Sequence, residues 1–117
     1  MHEVNIDQGR RLIRLTVSGF LQPEEITRLQ NDMKAAANEL RRTGAQFDVL
    51  ADIREAQVLT PEGAEGISTI VKWLFDHGLR KNVNLVSSAL LKMQVGRLTA
   101  HSAHFDKEED ALRWLES

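Results

Sequence analysis

Apolar residues alternate with polar ones at the start of the chain and then recur at helical spacing. Val4 and Ile6 alternate with polar neighbours, the turn-forming residues 7–10 follow, and a second alternating run covers 12–17. This pattern predicts a β-hairpin with strands near residues 2–7 and 11–18. Pro23 then takes a first-turn position, and a helical stripe follows it as far as Gly44. The stripe consists of Ile26, Leu29, Met33, Ala36, Ala37 and Leu40.

Short apolar runs alternate with helical patterns through the rest of the chain. Residues 47–53 and 83–86 are largely apolar, which predicts two strands buried on both faces of a parallel sheet. Capping and periodicity predict three more helices, namely 60–77, 87 or 88 to 98, and a last one with Asp106 in the cap position. A short edge strand is predicted at 104–105. The order ββαβαβαβα predicts a single α/β domain over 1–117, with a mostly parallel sheet, an N-terminal antiparallel hairpin and flanking helices.

Composition and charge narrow the classes of function. The 117 residues contain no cysteine, which excludes a disulfide framework, a thiolate metal site and a cysteine nucleophile. The formal net charge is −2, whereas nucleic-acid-binding modules usually carry a basic excess, so we expect no nucleic acid as partner. No uncharged run approaches the roughly 20 residues that span a bilayer, and no basic-then-apolar leader opens the chain. We therefore expect a cytoplasmic protein without a membrane span.

The order of elements and several of its segments resemble the STAS fold of anti-sigma-factor antagonists, in the small bacterial branch called SpoIIAA-like or STAS/Sec14-like. The resemblance covers the whole chain. Its most specific parts are the hairpin that leads into Gly19-Phe20-Leu21 and Pro23-Glu24-Glu25, the strand from Phe47 to Asp52, and the closing segment from Phe105 to Leu115. None of these is a catalytic motif, so the resemblance implies the fold more strongly than the function.

The resemblance also implies a position for a regulatory hydroxyl. Regulatory STAS proteins carry a phosphorylatable serine at the start of the second helix, within an Asp-Ser-Ser-Gly stretch. The matching stretch here is Leu59-Thr60-Pro61-Glu62, in which only Thr60 could accept a phosphate. The preceding acid and the second serine are missing. Because threonine before proline is also an ordinary helix N-cap, we favour the cap over the switch.

Several polar residues follow the predicted buried strands and define a candidate crevice. Asp52 and Arg54 leave one strand, Thr60 lies on the connection that follows, and Ser87 and Ser88 leave the next strand. Ligands of open α/β sheets bind beyond the carboxyl ends of the strands. Asp52 could act as a base, or Arg54 could hold an anion. The simpler interpretation, which we favour, is that these two residues pair with each other or with loop amides.

Two further site types receive little support. His101, His104 and Asp106 have the residue types of a zinc site, but three ligands so close in a polar turn are usually solvated, so we expect no metal. No phosphate-binding glycine loop is present, and we expect no cofactor. Gly63 and Gly66 lie inside the second predicted helix, where we expect them to allow close packing on the sheet.

The helices leave apolar residues outside their predicted buried stripes. Trp73 falls about 140° from the centre of the stripe of its helix. In the third helix, Leu90 and Met93 lie beside Arg97 and off the buried stripe. Exposed tryptophan, leucine, methionine and arginine have the composition of an interface core. The alternative is that a loop or the last helix covers them.

These patterns favour a non-enzymatic interaction module that binds a protein partner or a second copy of itself, as a homodimer. The residues that we expect in its surface are Trp73, Leu90, Met93 and Arg97. A second hypothesis, implied by the Sec14-like side of the resemblance, is a carrier of a small apolar, lipid-like ligand, although the 5% aromatic content does not support it. A third is an enzyme that uses the strand-end crevice, for which no catalytic set of residues is evident.

Overall fold

The protein is described by a computed structural model that covers residues 1–98 and 102–117. Its elements follow the predicted order, and the predicted α/β class is confirmed. They are β1 (His2–Asp7), β2 (Leu12–Gly19), α1 (Pro23–Arg41), β3 (Phe47–Ala56), α2 (Pro61–Asp76), β4 (Leu79–Leu85), α3 (Ala89–Leu98), β5 (Ser102–Phe105) and α4 (Glu108–Glu116).

The five strands form one sheet in the order β1-β2-β3-β4-β5. The hairpin pair β1–β2 is antiparallel, and each later neighbour pair is parallel. Each connection from β2 onwards moves one strand in the same direction, and such crossovers are right-handed. The helices α1, α2 and α3 therefore share one face of the sheet. The last helix is not part of a crossover, and it covers the other face.

Each face of the sheet has its own hydrophobic core. The larger core joins the sheet to α1, α2 and α3, and its fully buried side chains include Ile13, Leu29, Leu40 and Leu74. The smaller core lies under α4 and consists of Leu12, Leu50, Val83, Leu85, Ala111 and Leu115. Because successive side chains of β2 point to opposite faces of the sheet, Leu12 lies in the smaller core and Ile13 in the larger one.

The strand β4 is longer than predicted, because its polar first half is held by partners elsewhere in the fold. It begins at Leu79 rather than at Val83. Arg80 forms a two-point ion pair with the buried Asp48, with Nη2 2.7 Å from Oδ2 and Nε 3.0 Å from Oδ1. Lys81 Nζ donates to the carbonyl oxygen of Trp114, at the end of α4, over 3.0 Å. Arg80 Nη2 also donates to the carbonyl oxygen of Leu115 over 2.9 Å, so both side chains fasten α4 to the sheet.

The start of α4 differs from the prediction. Lys107, and not Asp106, occupies the N-cap position, and no side chain caps the helix. The first residue of the helix, Glu108, forms an ion pair with Arg14 of β2. This pairing draws the helix start towards the sheet. The acidic residues of the first turn complement the positive end of the helix dipole in place of a cap.

The glycine in the middle of α2 faces α1 and not the sheet, so that prediction was wrong. A Cβ atom at Gly66 would lie 2.6 Å from Cγ2 of Ile26 in α1. Gln30 of α1 donates from Nε2 to the carbonyl oxygen of Gly66 over 2.8 Å. The missing side chain therefore allows two neighbouring helices to pack closely.

Candidate functional site

The carboxyl ends of β2, β3 and β4 lie at one edge of the sheet, here called the carboxyl edge, and it holds most of the predicted polar residues. Asp52 and Arg54 lie near the end of β3 and pair with each other. Arg54 donates from Nε to Oδ1 of Asp52 over 2.9 Å and from Nη2 to Oδ2 over 2.8 Å. The carboxylate and the guanidinium thus engage each other, as in the simpler interpretation of these two residues.

The electrostatics of this pair do not suit a general base. The hydrogen bonds from Arg54 lower the pKa of Asp52 below its usual value, against the opposing effect of burial. The same contacts raise the pKa of Arg54. A carboxylate with a lowered pKa binds a proton more weakly, so it is less effective at taking one from a substrate near neutral pH.

The three predicted hydroxyl residues of this edge each have a structural contact. Thr60 is the N-cap of α2, and its Oγ1 accepts a hydrogen bond from the backbone nitrogen of Gly63 over 3.0 Å. Ser88 Oγ accepts from the backbone nitrogen of Leu91 over 3.2 Å at the start of α3. Ser87 Oγ donates to the carbonyl oxygen of Arg54 over 3.4 Å. The structure therefore brings Ser87 next to the Asp52–Arg54 pair, whereas Thr60 and Ser88 act as helix caps.

A residue that the sequence analysis did not single out, Gln94, joins α3 to the loop after β3. Its Oε1 accepts from the backbone nitrogen of Leu59 over 2.9 Å, and its Nε2 donates to the carbonyl oxygen of the same residue over 2.9 Å. One side chain thus pairs both backbone groups of a loop residue. The available sequence signal was its spacing, because Gln94 lies three residues after Leu91 and four before Leu98 and therefore beside apolar residues of the helix.

One face of α3 exposes the apolar residues predicted there. Leu90 and Met93 are 65% and 59% exposed, so no described loop or helix covers them. Arg97 is also exposed, and the spacing of three and four residues puts all three on one stripe. On its other side, α3 buries Leu91 and Val95 in the larger core.

Trp73 is partly buried, contrary to the predicted exposure. Its ring stacks on His77, with centroids 3.9 Å apart, and Nζ of Lys34 in α1 lies 5.5 Å from the Trp73 ring centroid. The helix α1 thus packs on the side of α2 that the stripe analysis left outside. Trp73 is about 18 Å along α2 from the carboxyl edge, whereas Leu90 is in the first turn of α3. The structure does not join Trp73 to the exposed stripe of α3.

Two further exposed apolar residues lie at the carboxyl edge. Phe20 follows β2 and Val58 follows β3, with 39% and 42% of their surfaces exposed. Their loops are in contact, since the backbone nitrogen of Gln57 donates to the carbonyl oxygen of Gly19 over 3.0 Å. The Leu59–Gln94 contact brings α3 to the same place. The sequence analysis missed both residues because an apolar residue in a loop has no periodicity to mark it.

Of the three residues weighed as a zinc site, the structure describes His104 and Asp106. His101 lies outside the described residues. Nδ1 of His104 accepts a hydrogen bond from Nδ2 of Asn84 over 3.3 Å. Within residues 1–98 and 102–117, no group of three or more histidine, cysteine or acidic side chains could hold a metal ion.

A cavity of about 80 Å³ lies between the sheet and the helices α1, α2 and α3. Its wall is mainly aliphatic, and its polar residues are Gln57 and two buried asparagines of β4, Asn82 and Asn84. Pockets that bind ordinary small molecules measure about 300–1,000 Å³. In this conformation the cavity is therefore too small for the lipid-like ligand that the Sec14-like resemblance implied.

The described helices include none that is long and apolar enough to cross a membrane.

Several solved structures share this fold. No protein-family model and no curated protein matches the sequence. The anti-sigma factor antagonist SpoIIAA in its unphosphorylated form superposes with a TM-score of 0.73 at 12% identity, covering 100% of this chain and 99% of that one. An uncharacterized DUF3478-family protein with a SpoIIAA-like fold from Shewanella loihica gives 0.71 at 16% identity, with 97% and 93% covered.

A third similar structure is an anti-sigma factor antagonist from Mycobacterium paratuberculosis. It gives a TM-score of 0.67 at 13% identity and covers 100% of this chain and 96% of that one. Identities this low carry the fold and not the function. The superpositions span nearly the whole of each chain, and together with the mixed five-stranded sheet they show that this protein has the SpoIIAA-like, STAS-like fold.

Proposed function

We propose that the protein is a non-enzymatic cytoplasmic regulatory module that binds a protein partner through the exposed stripe of α3. The observation that carries this proposal is the pair of largely exposed apolar side chains, Leu90 and Met93, in line with Arg97. Interface hot spots combine apolar anchors with arginine, and their energy comes from burial on binding. Phe20 and Val58 extend the apolar surface along the carboxyl edge.

The charges of α3 indicate the kind of partner. Its charged residues are Lys92 and Arg97, and the helix has no acidic side chain. Complementary charge across an interface steers association and selects the partner. We therefore expect an apolar surface rimmed by acidic groups. The alternative binding partner for this surface is a second copy of this chain.

Two observations favour a regulatory role over catalysis. The strand-end groups that could act on a substrate are engaged in an ion pair and in helix caps. The anti-sigma factor antagonists among the similar structures support regulation as the shared use of this fold. The single domain expected over 1–117 is proposed to act as one unit.

The test compares aspartate substitutions on and off the proposed surface. Leu90→Asp and Met93→Asp place a charge in the exposed stripe, and Thr69→Asp, at an exposed position of α2, is the matched control. Proteins retained from an extract of the producing cells by each immobilised variant are quantified, and candidate partners are purified and titrated. Because burial of a leucine contributes about 1.5–3 kcal/mol, we expect at least tenfold weaker binding for Leu90→Asp and no change for Thr69→Asp.

Native mass spectrometry of the purified variants separates the two occupants. If the wild-type chain forms a dimer that Leu90→Asp dissociates, then α3 binds a second copy of this chain and not a different protein. Binding that all three variants retain equally would refute α3 as the interface. A partner whose affinity does not fall when Arg97→Glu reverses the local charge would refute the acidic chemistry proposed for it.

A further inference from the structure

Two buried asparagines and the exposed Gln57 form the polar part of the wall of the core cavity. Asn82 and Asn84 of β4 are 4% and 5% exposed, and both line the cavity. Since they are two residues apart in one strand, both side chains leave the sheet on the helix-covered face, with Cα atoms about 6.6 Å apart. Burying a carboxamide group without a partner is costly, so each of its polar atoms needs one.

The neighbouring strand β5 provides partners for the nitrogen atoms of both carboxamides. Nδ2 of Asn82 donates to Oγ of Ser102 over 2.7 Å, and Nδ2 of Asn84 donates to Nδ1 of His104 over 3.3 Å. Burial, together with the charge of Lys92, lowers the pKa of His104, which favours the neutral ring that this contact requires. Among residues 1–98 and 102–117, neither carboxamide oxygen accepts a hydrogen bond.

The two asparagine side chains line the cavity. In the described part of the chain, every side-chain nitrogen or oxygen that is fully enclosed has a hydrogen-bond partner. The oxygens of Asn82 and Asn84 have no partner among the described residues, and both residues line the cavity, so a molecule in the cavity can donate a hydrogen bond to them.

We propose that this cavity binds a small aliphatic molecule that carries a hydroxyl group, in the manner of a short-chain alcohol. The hydrocarbon part packs against aliphatic side chains such as Ile70, Leu91 and Val95. The hydroxyl group donates to a carboxamide oxygen and can also accept, which suits an asparagine in either orientation. A cavity of about 150 Å³ holds benzene, so about 80 Å³ holds roughly three or four non-hydrogen atoms.

The test is an NMR titration of the full chain with straight-chain alcohols from methanol to 1-hexanol. We expect saturable shifts of the methyl signals of Ile70, Leu91 and Val95, with a Kd on the order of 1 mM for 1-propanol. Affinity should rise from methanol to 1-propanol and fall at least tenfold at 1-hexanol. Non-specific apolar binding strengthens with every added methylene instead. A continuous rise to 1-hexanol, or an absence of saturable shifts at these methyl groups, would overturn the proposal and leave a cavity that holds water only.

Two variants test the contacts separately. Asn84→Leu preserves the approximate shape of the side chain and removes its hydrogen bonds, so the Kd for 1-propanol should rise threefold to tenfold. Asn38→Leu, at an exposed position of α1, is the control and should leave the Kd unchanged. An unchanged Kd in Asn84→Leu would refute the role of the carboxamide.

A second variant keeps the proposal testable if Asn84→Leu does not fold. Ala51 of β3 also lines the cavity, and Ala51→Val adds two methyl groups at a strand position that accepts a β-branched residue. The best-binding alcohol should then shift from 1-propanol to ethanol or methanol. An unchanged preference for chain length would place the alcohol elsewhere on the protein.

Discussion

Replacing Gly66 by alanine tests how closely α1 and α2 pack. The added Cβ atom would lie 2.6 Å from Cγ2 of Ile26, whereas carbon atoms pack at about 3.5–4.0 Å. Either α2 moves away from α1 by roughly 1 Å, or the side chain of Ile26 turns. Ile26 is only 6% exposed, so turning disturbs the larger core. A movement of α2 also lengthens the hydrogen bond from Gln30 to the carbonyl oxygen of Gly66.

Two opposing terms set the size of this effect. Overpacking a core costs about 1–3 kcal/mol, whereas alanine is favoured over glycine in a helix by about 1 kcal/mol. Gly96→Ala in α3 isolates the second term, because among the described residues its Cβ would meet no atom closer than Nε2 of His104 at 3.8 Å. We expect Gly96→Ala to stabilise the protein by about 0.5–1 kcal/mol. The free energies of unfolding of the two variants should therefore differ by about 1–3 kcal/mol.

The assay is urea unfolding followed by circular dichroism, with both variants measured in parallel. A third comparison places Gly66→Ala in an Ile26→Ala background, where the clashing Cγ2 atom is gone. There the substitution should be neutral or stabilising. Equal stabilisation by Gly66→Ala and Gly96→Ala in the wild-type background would refute the close approach of the two helices.

Three further predictions concern the carboxyl edge. Thr60→Ala should lower the free energy of unfolding by about 1 kcal/mol and Thr60→Ser by much less, and equal losses in urea unfolding would contradict the cap. Gln94→Leu leaves both backbone groups of Leu59 without their partner, which should lower the free energy of unfolding by about 1–3 kcal/mol and accelerate hydrogen exchange at the Leu59 amide. An unchanged exchange rate would contradict the contact. Because Arg54 lowers the pKa of Asp52, their pairing stabilises the fold fully above the usual pKa of 3.8 and loses this effect as pH falls through the lowered value. The urea midpoints of the wild type and of Arg54→Met should therefore converge below about pH 4, and a constant difference would contradict the linkage.

Local chemistry explains why the order of elements could be predicted. The cap at Thr60 and the proline after it act within one helical turn, and the stripe from Ile26 to Leu40 needs only the helical period. Exposure of Leu90 and Met93 follows from the same period, because α3 packs through one side only. These features depend on neighbours within a few residues, which the sequence displays directly.

Contacts between distant residues were decided by the tertiary structure. Trp73 looked exposed because its own helix does not reveal that α1 covers it. Gln94 and Leu59 are 35 residues apart in the sequence, and neither residue type predicts a contact with the other.

The sequence by itself determined the order ββαβαβαβα and the starts of the first three helices, because hydrophobic period and capping are local properties of the chain. Only the tertiary structure decided that α1, α2 and α3 share one face while α4 covers the other, since that follows from the spatial order of the strands. It also decided that the side chains of Asn82 and Asn84 are buried. Asn82 precedes the predicted strand 83–86 and Asn84 lies within it. Both are buried in the structure, because β5 lies beside them and supplies partners for the nitrogen atom of each carboxamide.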